Sequence, residues 1–194
     1  VKFETGRIYA VIGSNGIGKT TLVKLIIGIY HPNGNMKSEI RYNNVPIKRI
    51  NLEHLRGEKI AYVSQKHRMT NKKINELFYE IDKDITLDSI YNRLSYFNDE
   101  ELIGNAIDDI KLFWNSAYYE LSEGEKQILS IYRALCKKPK VLILDEPSSN
   151  LDSNKKTTLK KILIAIKEQM IVIVISHDKD FLDVSDEIIE LDKR

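Results

Sequence analysis

Apolar residues run along this chain in two rhythms. Short β-branched runs at 7–12, 59–64, 141–144 and 171–175 are apolar on both alternating faces, the pattern of strands buried on both sides. Helical spacing follows the first of them over 19–30 and reappears at Ile103, Ile107 and Ile110, inside a polar stretch rich in Asn, Asp and Tyr. Strands alternating with helices predict an α/β fold with a mainly parallel central sheet. The polar stretch at 66–119 is predicted to be a helical insertion subdomain, dividing a core made of 1–65 and 120–194. The longest near-continuous apolar run, from Met170 to Ile175, is far short of the ~20 residues that a membrane-spanning helix requires. A strand follows almost directly on Val1, with no signal-peptide pattern before it, so the sequence reads as a piece of a longer polypeptide.

Composition narrows the picture. At 194 residues the chain is one domain with a small insertion, long enough for a real core. Charged residues make up 30% and the net charge is +2, with Lys and Glu intermixed, so no basic field points to nucleic acid and none is expected as a partner. The single cysteine, Cys136, cannot form an internal disulfide, which fits a reducing compartment, and its apolar helical setting reads as a small core residue.

The segment Gly13-Ser14-Asn15-Gly16-Ile17-Gly18-Lys19-Thr20-Thr21 fits G-x-x-x-x-G-K-[ST] and lies between a predicted strand and helix, the context that pattern demands. Glycines at 13, 16 and 18 let backbone N–H groups turn inward around an anion, aided by the positive end of the following helix. Lys19 supplies a charge toward the β- and γ-phosphates of a nucleotide, and the Thr20 hydroxyl is placed for Mg²⁺, which takes few protein oxygens.

Three further strands end in polar residues, and the carboxyl ends of strands in open α/β sheets are where ligands bind. The run 141–144 ends in Asp145-Glu146-Pro147; Asp145 is a partner for Mg²⁺, and Glu146 stands one residue further on to polarise an attacking water. His177 follows 171–175 and Ser176; if its strand neighbours the other two, its imidazole comes within reach of a γ-phosphate. Asp178 is expected to cap a short helix toward Val184. Gln65 ends the run 59–64 at the same edge, where its carbonyl oxygen can accept from water or bind Mg²⁺, or simply be solvated. The other histidines, His31, His54 and His67, sit in polar surroundings and are given no role.

Leu121-Ser122-Glu123-Gly124-Glu125-Lys126-Gln127 opens the helix that runs toward Cys136. Ser122 and Glu125 make an S-x-x-E capping box. A hydroxyl, a close-approach glycine and a helix N-terminus also make an anion site, and since the chain has a phosphate loop of its own, a second such site suggests a nucleotide contact from another copy.

Taken in order, the phosphate loop, Gln65, 121–127, Asp145-Glu146-Pro147, Ser149-Asn150-Leu151-Asp152 and His177 resemble the successive motifs of ABC-type ATPase domains, over nearly the whole chain. The resemblance implies a P-loop NTPase fold, Mg²⁺-dependent ATP hydrolysis, and a head-to-tail homodimer or pseudo-dimer. Two ATPs would lie between the phosphate loop of one chain and Ser122 and Gly124 of the other, with 149–152 at the interface. It assigns Glu146, His177 and Gln65 to catalysis and Thr20, Gln65 and Asp145 to the metal. The runs 51–56 and 71–77 resemble exporter nucleotide-binding domains, which implies a transmembrane partner, fused upstream or separate, and a place at the cytoplasmic face of the membrane. The family's usual strands and adenine-stacking aromatic ahead of Gly6 are missing, as is the acidic-glycine turn before Leu121. Asn150 stands where Ala is usual, and Glu123 where Gly is usual, so the Glu123 side chain is expected to turn away from phosphate. Two other readings share these motifs: a non-transport ABC-type ATPase acting on ribosomes or DNA, and a nucleotide-binding regulator that hydrolyses poorly.

Overall fold

The computed structural model describes residues 1–31, 39–65, 70–177 and 180–192. In chain order it contains β1 (Arg7–Ile12), α1 (Lys19–Ile26), a hairpin of β2 (Arg41–Tyr42) and β3 (Val45–Pro46), the single turn α2 (Leu52–His54) and β4 (Ile60–Val63). Then come α3 (Ile74–Tyr79), α4 (Leu87–Leu94), α5 (Glu100–Phe113), α6 (Glu123–Leu135), β5 (Val141–Asp145), α7 (Ser153–Ile166), β6 (Ile171–Ser176) and β7 (Glu187–Glu190).

The central sheet has five strands in the order β4-β5-β6-β1-β7, and every pair in it is parallel. β6 therefore lies between β1 and β5, as the reading of His177 required. Its two faces feed two apolar clusters. Val11, Val141, Ile143, Ile173 and Ile175 pack with Val23, Ile26 and Ile27 around α1 on one side. Ile8, Leu142, Leu144, Val172 and Val174 pack on the other with residues of α3 to α7, among them Phe78, Ile110, Ile131 and Leu163. Strict alternation between two buried faces explains why these strands read as continuous apolar runs.

Three details differ from the sequence reading. The first helix stops at Ile26 rather than 30, because Gly28 turns left-handed at φ +72 and packs so closely that a Cβ there would lie 2.7 Å from Leu52. Residues 180–184 form a turn and not a helix; the expected cap, Asp178, lies outside the described residues, as does His67. Finally, β7 and the β2–β3 hairpin were not anticipated. Helices do fill the predicted insertion, with Ile103 and Ile110 buried on α5 and Ile107 packed beside them.

Candidate functional site

The register of the parallel ladder lines up the strand ends. Ile12 pairs with Ser176, and Asp145 with Ile175, so Gly13, His177 and Glu146 all emerge at one edge. Val63 pairs with Leu144, which brings the residues after β4 to the same edge.

At β1 the chain enters the glycine loop. Gly16 and Gly18 adopt φ +79 and +113, and a Cβ at either would meet nothing within 4 Å, so their conformation and not crowding calls for glycine. Gly13 is closely packed: a Cβ there would fall 2.9 Å from both Ile17 Cγ2 and the Leu191 carbonyl oxygen. Gly18 caps α1 without a side-chain acceptor, leaving the first N–H groups of the helix for an anion. Lys19 is buried, and its ammonium folds back to donate to the Gly13 carbonyl at 2.7 Å and the Ser14 carbonyl at 3.4 Å. Ser14, Asn15, Gly16, Thr20 and Thr21 are exposed, while Ile17 and Gly18 are half-buried.

Across β6, Glu146 adopts φ +49, a left-handed conformation that is uncommon for a non-glycine residue. Its backbone N–H donates to the Ile175 carbonyl at 2.8 Å, and its carbonyl accepts the Ser149 hydroxyl at 3.0 Å, so the strained residue is held on both sides. The side chain is buried. Its Oε2 lies 2.7 Å from His177 Nδ1 and accepts the His177 backbone N–H at 3.2 Å, while Oε1 lies 3.7 Å from Lys19 Nζ. Lys19, Glu146 and His177 thus form one cluster at the mouth of the loop.

Asp145 points to the other side of that cluster, toward β4. Its Oδ2 accepts the Tyr62 hydroxyl at 2.8 Å, and burial followed by this carboxylate pushes the Tyr62 phenol well above its ordinary range. Gln65 is exposed beyond β4, and among the described residues no hydrogen bond ties it to Asp145 or Glu146.

The second turn is built on α6. Ser122 caps it by accepting the Glu125 N–H at 3.3 Å, while its own N–H and hydroxyl donate to Glu125 Oε2 at 2.8 and 2.7 Å. The Ser122 hydroxyl, the Ser122 backbone N–H and the nearby Lys155 hold the Glu125 carboxyl below its usual range, against a smaller effect of burial. Glu123 is met by Lys126 at 2.6 Å, so its charge is engaged along the helix. Gly124 is packed against α7: a Cβ there would fall 2.7 Å from the Lys155 stem and 3.4 Å from Leu151. Lys155 Nζ also reaches Ser122 Oγ at 3.3 Å. Ser122 itself stays exposed.

Two contributors escaped the sequence reading. Lys155 gave no signal beyond standing three residues after the Asp152 that caps α7. Tyr62 became relevant only once β4 was known to neighbour β5.

The residues present suit a nucleotide and a hard cation. The uncapped N–H groups that open α1 and the Lys19 ammonium suit phosphate oxygens, and the metal donors available, the Thr20 hydroxyl and the Asp145 carboxylate, are both oxygen. Among the described residues no group of three or more His, Cys, Asp or Glu forms a cage. No helix among the described residues is long and apolar enough to cross a membrane.

Known proteins are similar to this chain. The family model described as ABC transporter matches residues 1–149. A probable ABC transporter ATP-binding/permease protein of Haemophilus influenzae is 29% identical over 189 residues, covering 97% of this chain and 34% of that protein. An ATP-dependent lipid A-core flippase of Francisella novicida is 30% identical over 193 residues, covering 99% of this chain and 32% of the flippase. The chain spans about a third of the length of these relatives. The solved structure of a bacterial Atm1-family ABC exporter with ATP bound superposes with a TM-score of 0.81 at 23% identity, covering 99% of this chain and 33% of that one, which shows the same fold.

Proposed function

The chain belongs to the ABC transporter family, and on that premise we propose that it is the ATP-hydrolysing domain of a transporter of the exporter kind. The observation that carries this reading is the convergence of Lys19, Glu146 and His177 at the mouth of a glycine loop, with Glu146 2.7 Å from His177 and 3.7 Å from Lys19. In this proposal residues 1–65 and 120–194 are the ATPase core and 66–119 the helical subdomain.

Lys19 leaves the Gly13 carbonyl for the β- and γ-phosphates of ATP, whose remaining oxygens are met by the loop N–H groups. Thr20 and Asp145 would hold Mg²⁺, with exposed Gln65 as a further ligand; the ion would neutralise charge that develops on the transferred phosphoryl group. Removing Lys19 to the phosphates frees one carboxylate oxygen of Glu146, which then accepts a proton from the attacking water. His177 Nδ1 stays on Oε2 and fixes the orientation of that carboxylate, and its ring stands beside the γ-phosphate. Exposed Ser122 and buried Gly124 form the complementary surface of a second copy, so the working unit is a homodimer or pseudo-dimer. Its closure drives a transmembrane partner at the cytoplasmic face of the membrane. The naming of a relative as a lipid A-core flippase supports export as the direction.

Glu146→Gln tests the core of this reading. ATP binding should persist while hydrolysis falls ~10²–10⁴-fold, the usual contribution of a general base, and a dimer should become visible by size-exclusion chromatography with ATP. Turnover at the wild-type rate would remove Glu146 from the role of base.

A further inference from the structure

We infer that Tyr62 is a positioning residue for the metal-binding carboxylate Asp145, holding its Oδ2 and so fixing the orientation of the carboxylate. This rests on the assignment of Asp145 to the metal in the proposed function. β4 buries Ile60, Ala61 and Val63 and turns Tyr62 outward at the edge of the sheet. Tyr62 pairs in register with Ile143, so Asp145 is its diagonal neighbour two residues further along β5, on the same face and within reach of a long side chain. The phenol donates to Oδ2 at 2.8 Å.

Tyr62 is 40% exposed, so burial alone does not force its hydroxyl onto a carboxylate. Its engagement with Asp145 has a consequence for the acid instead. One of the two carboxylate oxygens is occupied by a neutral donor that leaves the negative charge in place, and the side chain is confined to one orientation. Carboxylates that bind metal ions are ordinarily oriented by such partners, whose removal weakens metal affinity.

The test uses Tyr62→Phe in the full chain, with Mn²⁺ as the probe and its binding to the protein–ATP complex read by electron paramagnetic resonance. Mn²⁺ affinity should fall about tenfold, the lower end of the range for such partners, because Tyr62 is partly exposed. ATP affinity in EDTA should stay within about twofold of wild type, and the thermal midpoint should be nearly unchanged, since Phe keeps the packing. Tyr62→Leu should match Tyr62→Phe on the metal and show that the hydroxyl, not the ring, is responsible. Unchanged or tighter Mn²⁺ binding, or an equal loss of ATP affinity in EDTA, would overturn the inference. If the wild-type protein binds no ATP with or without metal, it is the proposed function that fails, independently of Tyr62.

Discussion

At the scale of single residues, chemistry follows from what each side chain touches. Cys136 is fully buried, and burial pushes its thiol up to about 12, above the reach of neighbouring Arg93 and Arg133 to lower it. Its thiolate is therefore scarce at neutral pH, and a disulfide-exchange reagent at pH 8 should leave the native protein unlabelled while titrating one thiol after denaturation. Rapid native labelling would show that the C-terminal end of α6 opens. Glu146 is the opposite kind of residue, polar and buried at a strained backbone angle. A left-handed non-glycine residue costs on the order of 1–2 kcal/mol, and here the strain aims the carboxylate at His177 and Lys19. The sequence made Glu146 legible as a strand-end acid, but not its backbone angle, which depends on hydrogen bonds to Ile175 and Ser149 that no local pattern encodes.

Among elements, β7 shows what alternation can hide. Its Glu187-Ile188-Ile189-Glu190 is half-buried at the edge of the sheet and lacks the run of apolar residues that marked β1, β5 and β6. What fixes it is Asp186, which accepts the Ile8 N–H at 2.8 Å and Lys167 at 2.9 Å while donating its own N–H to the Ile8 carbonyl. The Ile8 N–H first, and Lys167 after it, hold the Asp186 carboxyl below its usual range, against a smaller effect of burial. A depressed folded-state value means stabilisation that is present above the unfolded value, near 3.9, and lost as pH falls through the folded one. Asp186→Asn should therefore lower stability by about 1 kcal/mol at pH 7, and the difference from wild type should shrink below about pH 4 in denaturant titrations. A gap that grows on acidification would contradict the assignment. The β2–β3 hairpin was missed for another reason: its strands are two residues each, and its signal lies in Asn43 and Asn44, both left-handed at φ +47 and +66. Strands buried on both faces and the glycine loop were readable because their constraint is local. The Tyr62–Asp145 and Lys155–Ser122 contacts were not, because they depend on strand order and on how α7 packs against α6.

Over the whole molecule, the proposed boundary between core and helical subdomain does not interrupt the apolar interior. Phe78, Ile90, Leu94 and Ile110 from the helical stretch belong to the same cluster as Leu144, Leu163 and Val174. The single tryptophan, Trp114, lies in the helical stretch with its ring centroid 5.9 Å from that of Phe78, and so reports on that stretch. If the cluster is one cooperative unit, Trp114 fluorescence and far-ultraviolet circular dichroism should give coincident unfolding midpoints. Ile110→Ala should lower both together, with a loss of about 2–5 kcal/mol for emptying a fully buried site. Separated midpoints would show that the helical stretch melts by itself. The continuous interior also has a mechanical meaning. Close-packed side chains transmit displacement instead of absorbing it, so a displacement of the helices between β4 and α6 would be carried, through Leu142 and Leu144, to the strand that ends in Asp145.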